Sequence, residues 1–411
     1  MTTNKVTTGI DALIADGFSC LKGKRVGLLT HAPACDFSRT STLQHFMQHL
    51  QNGLKVVFTP EHGFSANAQD FEAGAITQRA DGLKWVSLYG KDKSSLHPLQ
   101  EDLVNLDVLV VDLVDVGSRH QTFQATMLYA MQVAFTKGVA VMVLDRPNPL
   151  GGLAVEGPML LPEWSSFVGV HPIPIRHGLT IGELAILYKE ELELVGDLEV
   201  VPCEGWKRGM YFDETGLPWV MPSMNLPTFE TALVYPGQCL FEGTNLSEGL
   251  GTAHPFQLCG APFLNPTQVA DSFNKESLPG VSFKPVSFKP TFDKWQGEQC
   301  GGVELHITDR VVFQPVRTSL ALLYNLREHS GKHFAWRTAP YHFVKDKLAI
   351  DLLLGSDRER MQMQAGMPWR EIIAEWEEEE ADFLFHRKPF LIYLDYWFCM
   401  SLLSVVNQRI L

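Results

Sequence analysis

Between residues 25 and 149, short runs of β-branched and aliphatic residues alternate with longer amphipathic stretches. The runs 25–30 (RVGLLT), 55–59 (KVVFT), 85–89 (WVSLY), 108–113 (VLVVDL) and 140–144 (AVMVL) predict strands. Several are apolar at nearly every position, as expected of strands buried on both faces of a parallel sheet. Residues 42–51 and 121–137 predict helices between them, the second stopping before Gly138, where a helix prefers to end. This alternation predicts an α/β chain with a Rossmann-like, doubly wound parallel sheet. Further on, Thr180 with Glu183 three residues later predicts a capped helix start. A strand follows at 198–204 (LEVVPCE).

The texture changes at Pro222. The stretch 222–256 is dense in proline and glycine and predicts a junction without regular elements. The expected organisation is a Rossmann-like domain over 1–225, a second, smaller α/β domain over 226–393 that completes a cleft, and an apolar tail over 394–411. In the tail, residues 396–406 (YWFCMSLLSVV) reach about half the ~20 residues that span a bilayer. They predict a packed terminal helix, with a peripheral membrane contact as the alternative.

A length of 411 residues suits two cores, and 45% hydrophobic with 20% charged residues excludes a disordered chain. The net charge of −13, with no basic stripe, argues against nucleic acid as a partner. The seven cysteines include no C-x-x-C pair and are odd in number, which fits reduced thiols better than disulfides or zinc. Residues 1–25 show no apolar core behind a basic start, so a cytoplasmic protein is expected.

Ligands of open parallel sheets sit outside the carboxyl ends of the strands. That rule gathers Thr30 and His31, then Glu61 and His62, then Asp115 and Arg119, and finally Asp145, Arg146 and Asn148. In T-P-E-H-G-F (59–64), Pro60 fixes the strand exit and Gly63 permits a tight turn, so Glu61 is held rigidly, as a catalytic acid requires. Its alternative is a turn cap. In D-V-G-S-R (115–119), Arg119 offers a planar fork for a substrate carboxylate, or else pairs with Asp115 to hold its own loop. D-R-P-N-P (145–149) divides the same way between ligand contact and scaffold. Glu156 is a candidate second carboxylate, because glycosidic hydrolysis usually employs two. His177 in P-I-R-H-G is a weaker candidate, while Glu242 and Asn245 in F-E-G-T-N are candidates to bond sugar hydroxyls, or else belong to a turn stabilised by Asn and Gly.

No G-x-G-x-x-G follows the first strand, and neither a P-loop nor a G-x-S-x-G elbow occurs, so nucleotide cofactors and serine hydrolysis are disfavoured and no cofactor is expected. A metal site from His31, His62, Asp115 and His177 lacks any local two-ligand spacing, and no metal is expected.

The motifs T-P-E-H-G-F, V-S-L-Y-G, D-V-G-S-R, L-D-R-P-N-P-L-G-G, V-E-G-P, H-G-L-T-I-G-E-L-A, S-M-N-L-P-T and F-E-G-T-N-x-S-x-G-x-G-T, in this order over about residues 9–393, resemble the exo-β-N-acetylmuramidase family, glycoside hydrolase family 171, long catalogued as a bacterial domain of unknown function. The resemblance implies a Rossmann-like domain, a smaller C-terminal domain, and a cleft that releases terminal N-acetylmuramic acid from peptidoglycan fragments in wall recycling. It maps the presumed catalytic glutamate onto Glu61, with Glu156 as our expected partner. His62, Asp115, Arg119, Arg146, Asn148, His177, Asn225, Glu242 and Asn245 are the expected substrate contacts. Arg119 or Arg146 would meet the lactyl carboxylate. The chain departs from the family at His31-Ala32 and at His120-Gln121, which bears on substrate preference. A sugar-binding module without activity and a metal-dependent hydrolase are the alternatives.

Overall fold

The computed structural model describes residues 5–67, 69 and 83–394. The tail segment 396–406 lies outside the described residues. Six parallel strands form the central sheet: β1 (Val26–Thr30), β2 (Leu54–Thr59), β3 (Lys84–Ser87), β4 (Val108–Asp112), β5 (Ala140–Leu144) and, later in the chain, β8 (Leu198–Val201), in the order β3-β2-β1-β4-β5-β8. β1 and β4 are buried at every position and register residue for residue, from Val26 beside Val108 to Thr30 beside Asp112. Helices Thr42–Leu50, Phe123–Thr136 and Ile181–Glu191 cover the faces. The last of these carries the capping box of Thr180 and Glu183. Strand order reverses between β1 and β4, which fixes where a crevice opens.

Two short strands, β6 (Glu156–Met159) and β7 (Pro174–Arg176), pair antiparallel outside this sheet. The sequence pattern does not show either, because strands this short have too few residues for alternation to appear.

The C-terminal part carries an antiparallel sheet of β9 (Leu258–Ala261), β10 (Val281–Phe288) and β11 (Cys300–Ile307), in the order β10-β11-β9, with helix Pro266–Glu276 packed on it and helix Pro315–Ser330 against that helix. The expectation that 222–256 holds no regular element is corrected: a helix runs Phe229–Gln238 with Pro236 inside it. Burial outweighs propensity here. Nearly the whole helix is buried, and a Cβ on Gly237 would sit 2.0 Å from the Pro315 carbonyl oxygen, so glycine permits the close crossing with helix Pro315–Ser330.

Two buried arginines tie the halves together reciprocally. Arg119, after β4, donates from Nη1 to the carbonyls of Pro158 and Ile173 and from Nη2 to those of Leu353 and Leu354. Arg387, from the other end of the chain, donates from Nη1 to His177 and Gly178 and from Nη2 to Gly152 and Leu153.

Candidate active site

At the carboxyl end of β2 the chain turns at once. Gly63 N–H donates to the Pro60 carbonyl at 3.1 Å, and His62 and Gly63 take φ of 67° and 70°. A non-glycine residue in the left-handed region is held there by its surroundings, and such residues gather at functional sites. The turn presents Glu61 to a cavity at the mouth of the sheet. The N-terminal part lines it with Glu61, His62, His120, Gln121, Thr122 and Val168, and the segment 223–226 adds Ser223 and Asn225. Tyr235, Cys239, Glu242, Phe256, Tyr341 and His342 close it from the C-terminal part.

Glu61 is 3% exposed. Its Oε2 accepts the Thr122 hydroxyl at 2.7 Å, while Oε1 lies 3.7 Å from His342 Nδ1 and has no hydrogen-bond partner among the described residues. His342 stands in a second strained turn, with φ of 40° followed by 71° at Phe343, closed by reciprocal backbone bonds between Tyr341 and Val344. Its Nδ1 is also 3.3 Å from the Tyr89 hydroxyl. Burial pushes the His342 ring below the usual histidine range, opposed by the charge of Glu61. His120 is fixed in one tautomer: Nε2 faces the Leu353 carbonyl at 2.8 Å, which only accepts, so Nε2 carries the proton and Nδ1 offers a lone pair. Burial pushes the His120 ring down to about 3, so it is neutral at physiological pH. Across the cavity, Tyr341 donates its hydroxyl to Glu242 Oε2 at 2.7 Å. The arrangement brings two carboxylates and several hydrogen-bonding side chains to one cavity.

Of the residues expected from sequence, Glu61, His62, Asn225 and Glu242 meet here. The others are elsewhere. Asp115 and Arg146 line a separate cleft with Cys35, Phe212 and Trp219. Burial pushes the Asp115 carboxyl up to about 7 there. The Arg146 guanidinium is engaged by both Asp112 oxygens, at 2.5 and 2.9 Å, and by the Cys35 carbonyl. Arg119 is occupied by four carbonyls, and neither arginine lines the Glu61 cavity, where a lactyl carboxylate was expected to meet it. Asn148 braces the D-V-G-S-R turn: its amide donates to the Leu179 carbonyl, and a Cβ on Gly117 would meet its Oδ1 at 2.3 Å. His177 accepts the Leu179 N–H at Nδ1 and is buried, and Asn245 bridges His333 and Ala335.

Glu156 is also corrected. It lies in β6, where Oε1 accepts the Arg317 N–H at 2.7 Å, at the N-terminus of helix Pro315–Ser330. That is a structural use of a carboxylate, at the end of a helix where negative charge is favoured. Burial pushes it up to about 7, opposed by Arg317 and Arg176, against an ordinary 4.5. The folded state therefore holds a proton that the unfolded chain releases in that interval. The stability contributed by Glu156 is complete below about pH 4.5 and is lost as pH rises to about 7, by about 3 kcal/mol at most. Glutamine keeps the acceptor for Arg317 and cannot ionise. Glu156→Gln is expected to melt like the wild type at pH 5 and above it at pH 8, with turnover within about threefold. Melting curves and initial rates at both pH values check this, and a far larger loss of turnover would return Glu156 to the chemistry.

Sequence reasoning missed His120, Thr122, Tyr341 and His342. His120 was noted only as a departure from a family pattern, and the turn at 341–344 carries no glycine to mark its left-handed residues. Among the described residues, no group of three His, Cys, Asp or Glu side chains could hold a metal ion, and no helix is long and apolar enough to cross a membrane.

The family model for the N-terminal part of exo-beta-N-acetylmuramidase NamZ matches residues 26–230, and the C-terminal model matches residues 233–393. Over 390 residues the chain is 43% identical to the peptidoglycan beta-N-acetylmuramidase NamZ of Bacillus subtilis (strain 168), covering 95% of this chain and 92% of that protein. Crystal structures of two DUF1343 family proteins from Bacteroides fragilis NCTC 9343 are similar throughout. One gives a TM-score of 0.85 at 31% identity, covering 95% of this chain and 99% of that one. The other gives 0.76 at 27%, covering 95% and 100%.

Proposed function

The chain belongs to the exo-β-N-acetylmuramidase family, and from that premise we propose that its Glu61 cavity releases N-acetylmuramic acid from the non-reducing ends of peptidoglycan-derived oligosaccharides or muropeptides, with Glu61 as the general acid. One observation carries the assignment of the site: Glu61 Oε1 is buried in a cavity shared by both halves of the chain, with its partner oxygen anchored by Thr122 and no donor of its own. A buried acceptor without a partner is costly, of the order of 1–3 kcal/mol, and one that lines a cavity can gain the missing bond from a ligand.

In the reaction, the protonated Glu61 carboxyl gives its proton to the glycosidic oxygen as the bond to the anomeric carbon breaks. His120 Nδ1 and the Asn225 amide are placed to orient sugar hydroxyl or acetamido groups. No cofactor is invoked. We place the reaction in the cytosol, on imported wall fragments; the six cysteines among the described residues are free thiols, five of them buried, which suits a reducing compartment.

The test is direct. The purified full chain is incubated with a chromogenic N-acetylmuramic acid glycoside and with the matching N-acetylglucosaminide, each with and without EDTA. Colour is expected from the first substrate at least a hundredfold faster than from the second, and unaltered by EDTA. Calorimetric binding of a muropeptide without any sugar release would make the chain a binding module, and loss of activity on chelation would bring in a metal.

A further inference from the structure

The geometry points to Glu242 as the carboxylate that completes the catalytic pair with Glu61, a role resting on the glycosidase reading above. Hydrolysis of a glycosidic bond needs a second group to meet the positive charge that develops at the anomeric carbon. Glu156 is spent at the N-terminus of helix Pro315–Ser330, and Asp115 opens into a different cleft. Among the described residues, Glu61 and Glu242 are the carboxylates that line the cavity.

Glu242 is built into place. It lies in the 3-10 turn Cys239–Gly243, directly after helix Phe229–Gln238, and is 7% exposed. Tyr341 donates to Oε2 at 2.7 Å, and the Cys239 thiol lies 3.6 Å from Oε1. Gly243 fixes the turn from beneath: a Cβ there would be 2.7 Å from Ile350 Cα, so the turn rests directly on helix Ala349–Leu354. The same helix is gripped at its C-terminal end. His120 and Arg119 both bond the Leu353 carbonyl, and Arg119 bonds Leu354 as well. A continuous path of buried contacts therefore runs from the loop beside Glu61, through that helix, to Glu242. Two carboxylates on different halves of the chain are held in one frame, which is the immobility that a paired mechanism demands.

As Glu61 passes its proton to the departing oxygen, the electron pair of the anomeric C–O bond leaves with that oxygen as an alcohol. The ionised Glu242 takes up the charge at the anomeric carbon, by bonding to it before water displaces it or by accepting the proton of the attacking water. Either way one water is consumed and two hydroxyl products appear.

The two glutamates are separable by leaving group. An acid matters less when the leaving group needs no proton, whereas the group opposite matters always. Glu242→Gln and Glu61→Gln are compared with the wild type on a dinitrophenyl N-acetylmuramic acid glycoside and on the disaccharide N-acetylmuramyl-N-acetylglucosamine. Glu242→Gln, in which the side-chain oxygen still accepts from Tyr341, is expected to lose about a thousandfold in kcat on both substrates with KM little changed. Glu61→Gln should recover much of its loss on the dinitrophenyl substrate. Should the Gln variant fold poorly by circular dichroism, Glu242→Asp keeps the charge one methylene short and is expected to lose about a hundredfold in kcat on both substrates. A loss confined to KM, a kcat within tenfold of wild type, or a loss that shrinks with the better leaving group would overturn the role of Glu242. If the wild type turns over neither substrate, the glycosidase reading itself falls and takes this role with it.

Discussion

Glu61→Gln is expected to lower kcat on the muramyl disaccharide by about 10^2 to 10^4-fold, the usual worth of a positioned general acid, with KM changed only severalfold. The substitution is nearly isosteric. The glutamine oxygen still accepts the Thr122 hydroxyl that Glu61 Oε2 accepts at 2.7 Å, so the side chain keeps its anchor. What is lost is a transferable proton at the atom facing His342. The strained turn at His62 and Gly63 is untouched, because it is set by the backbone and not by the carboxyl group. Circular dichroism and melting temperature should therefore match the wild type, isolating the effect in the chemical step. Release of disaccharide products within tenfold of the wild-type rate would remove Glu61 from proton transfer.

The parts of the fold that were legible in the sequence share a physical cause. β1, β2, β4 and β5 are buried almost throughout, so selection for apolar β-branched residues writes them as unbroken runs, and their ends locate the crevice by topology alone. Glu61 was found because proline before it and glycine after it announce a turn. Helix Phe229–Gln238 was hidden because its Pro236 and Gly237 read as breakers, while the packing that overrides them comes from a helix about eighty residues away in sequence. Arg119 and Arg146 misled for a related reason. An arginine at a strand end looks alike whether its fork meets a ligand or the protein's own acceptors, and only the fold shows Asp112 or four backbone carbonyls already there. His342 is the hardest case, since it reaches Glu61 from nearly three hundred residues away and no local pattern encodes that approach.

Arg119→Met is expected to lower stability by several kcal/mol while leaving KM for the muramic acid glycoside within about threefold in the fraction that remains folded. Two effects oppose each other. Burial pushes the Arg119 guanidinium down to about 9, so carrying its charge in the interior is a cost that methionine removes. Against that stand the carbonyls of Pro158, Ile173 and Leu354, which would lose the Arg119 donor, with His120 still serving Leu353. Hydrogen bonds from a charged donor are worth about 1.5–3 kcal/mol each, so losing several outweighs the relief. Lysine is no substitute, because one ammonium cannot span acceptors on β6, on the approach to β7 and on helix Ala349–Leu354 at once. Arg119→Lys is accordingly expected to fall between methionine and wild type in melting temperature. The discriminating comparison is between affinity and stability: a side chain that binds the lactyl carboxylate would raise KM for the muramic acid glycoside alone, whereas a strap between the two halves lowers the melting temperature and leaves KM in place. A tenfold rise in KM with unchanged melting would restore the arginine to the substrate.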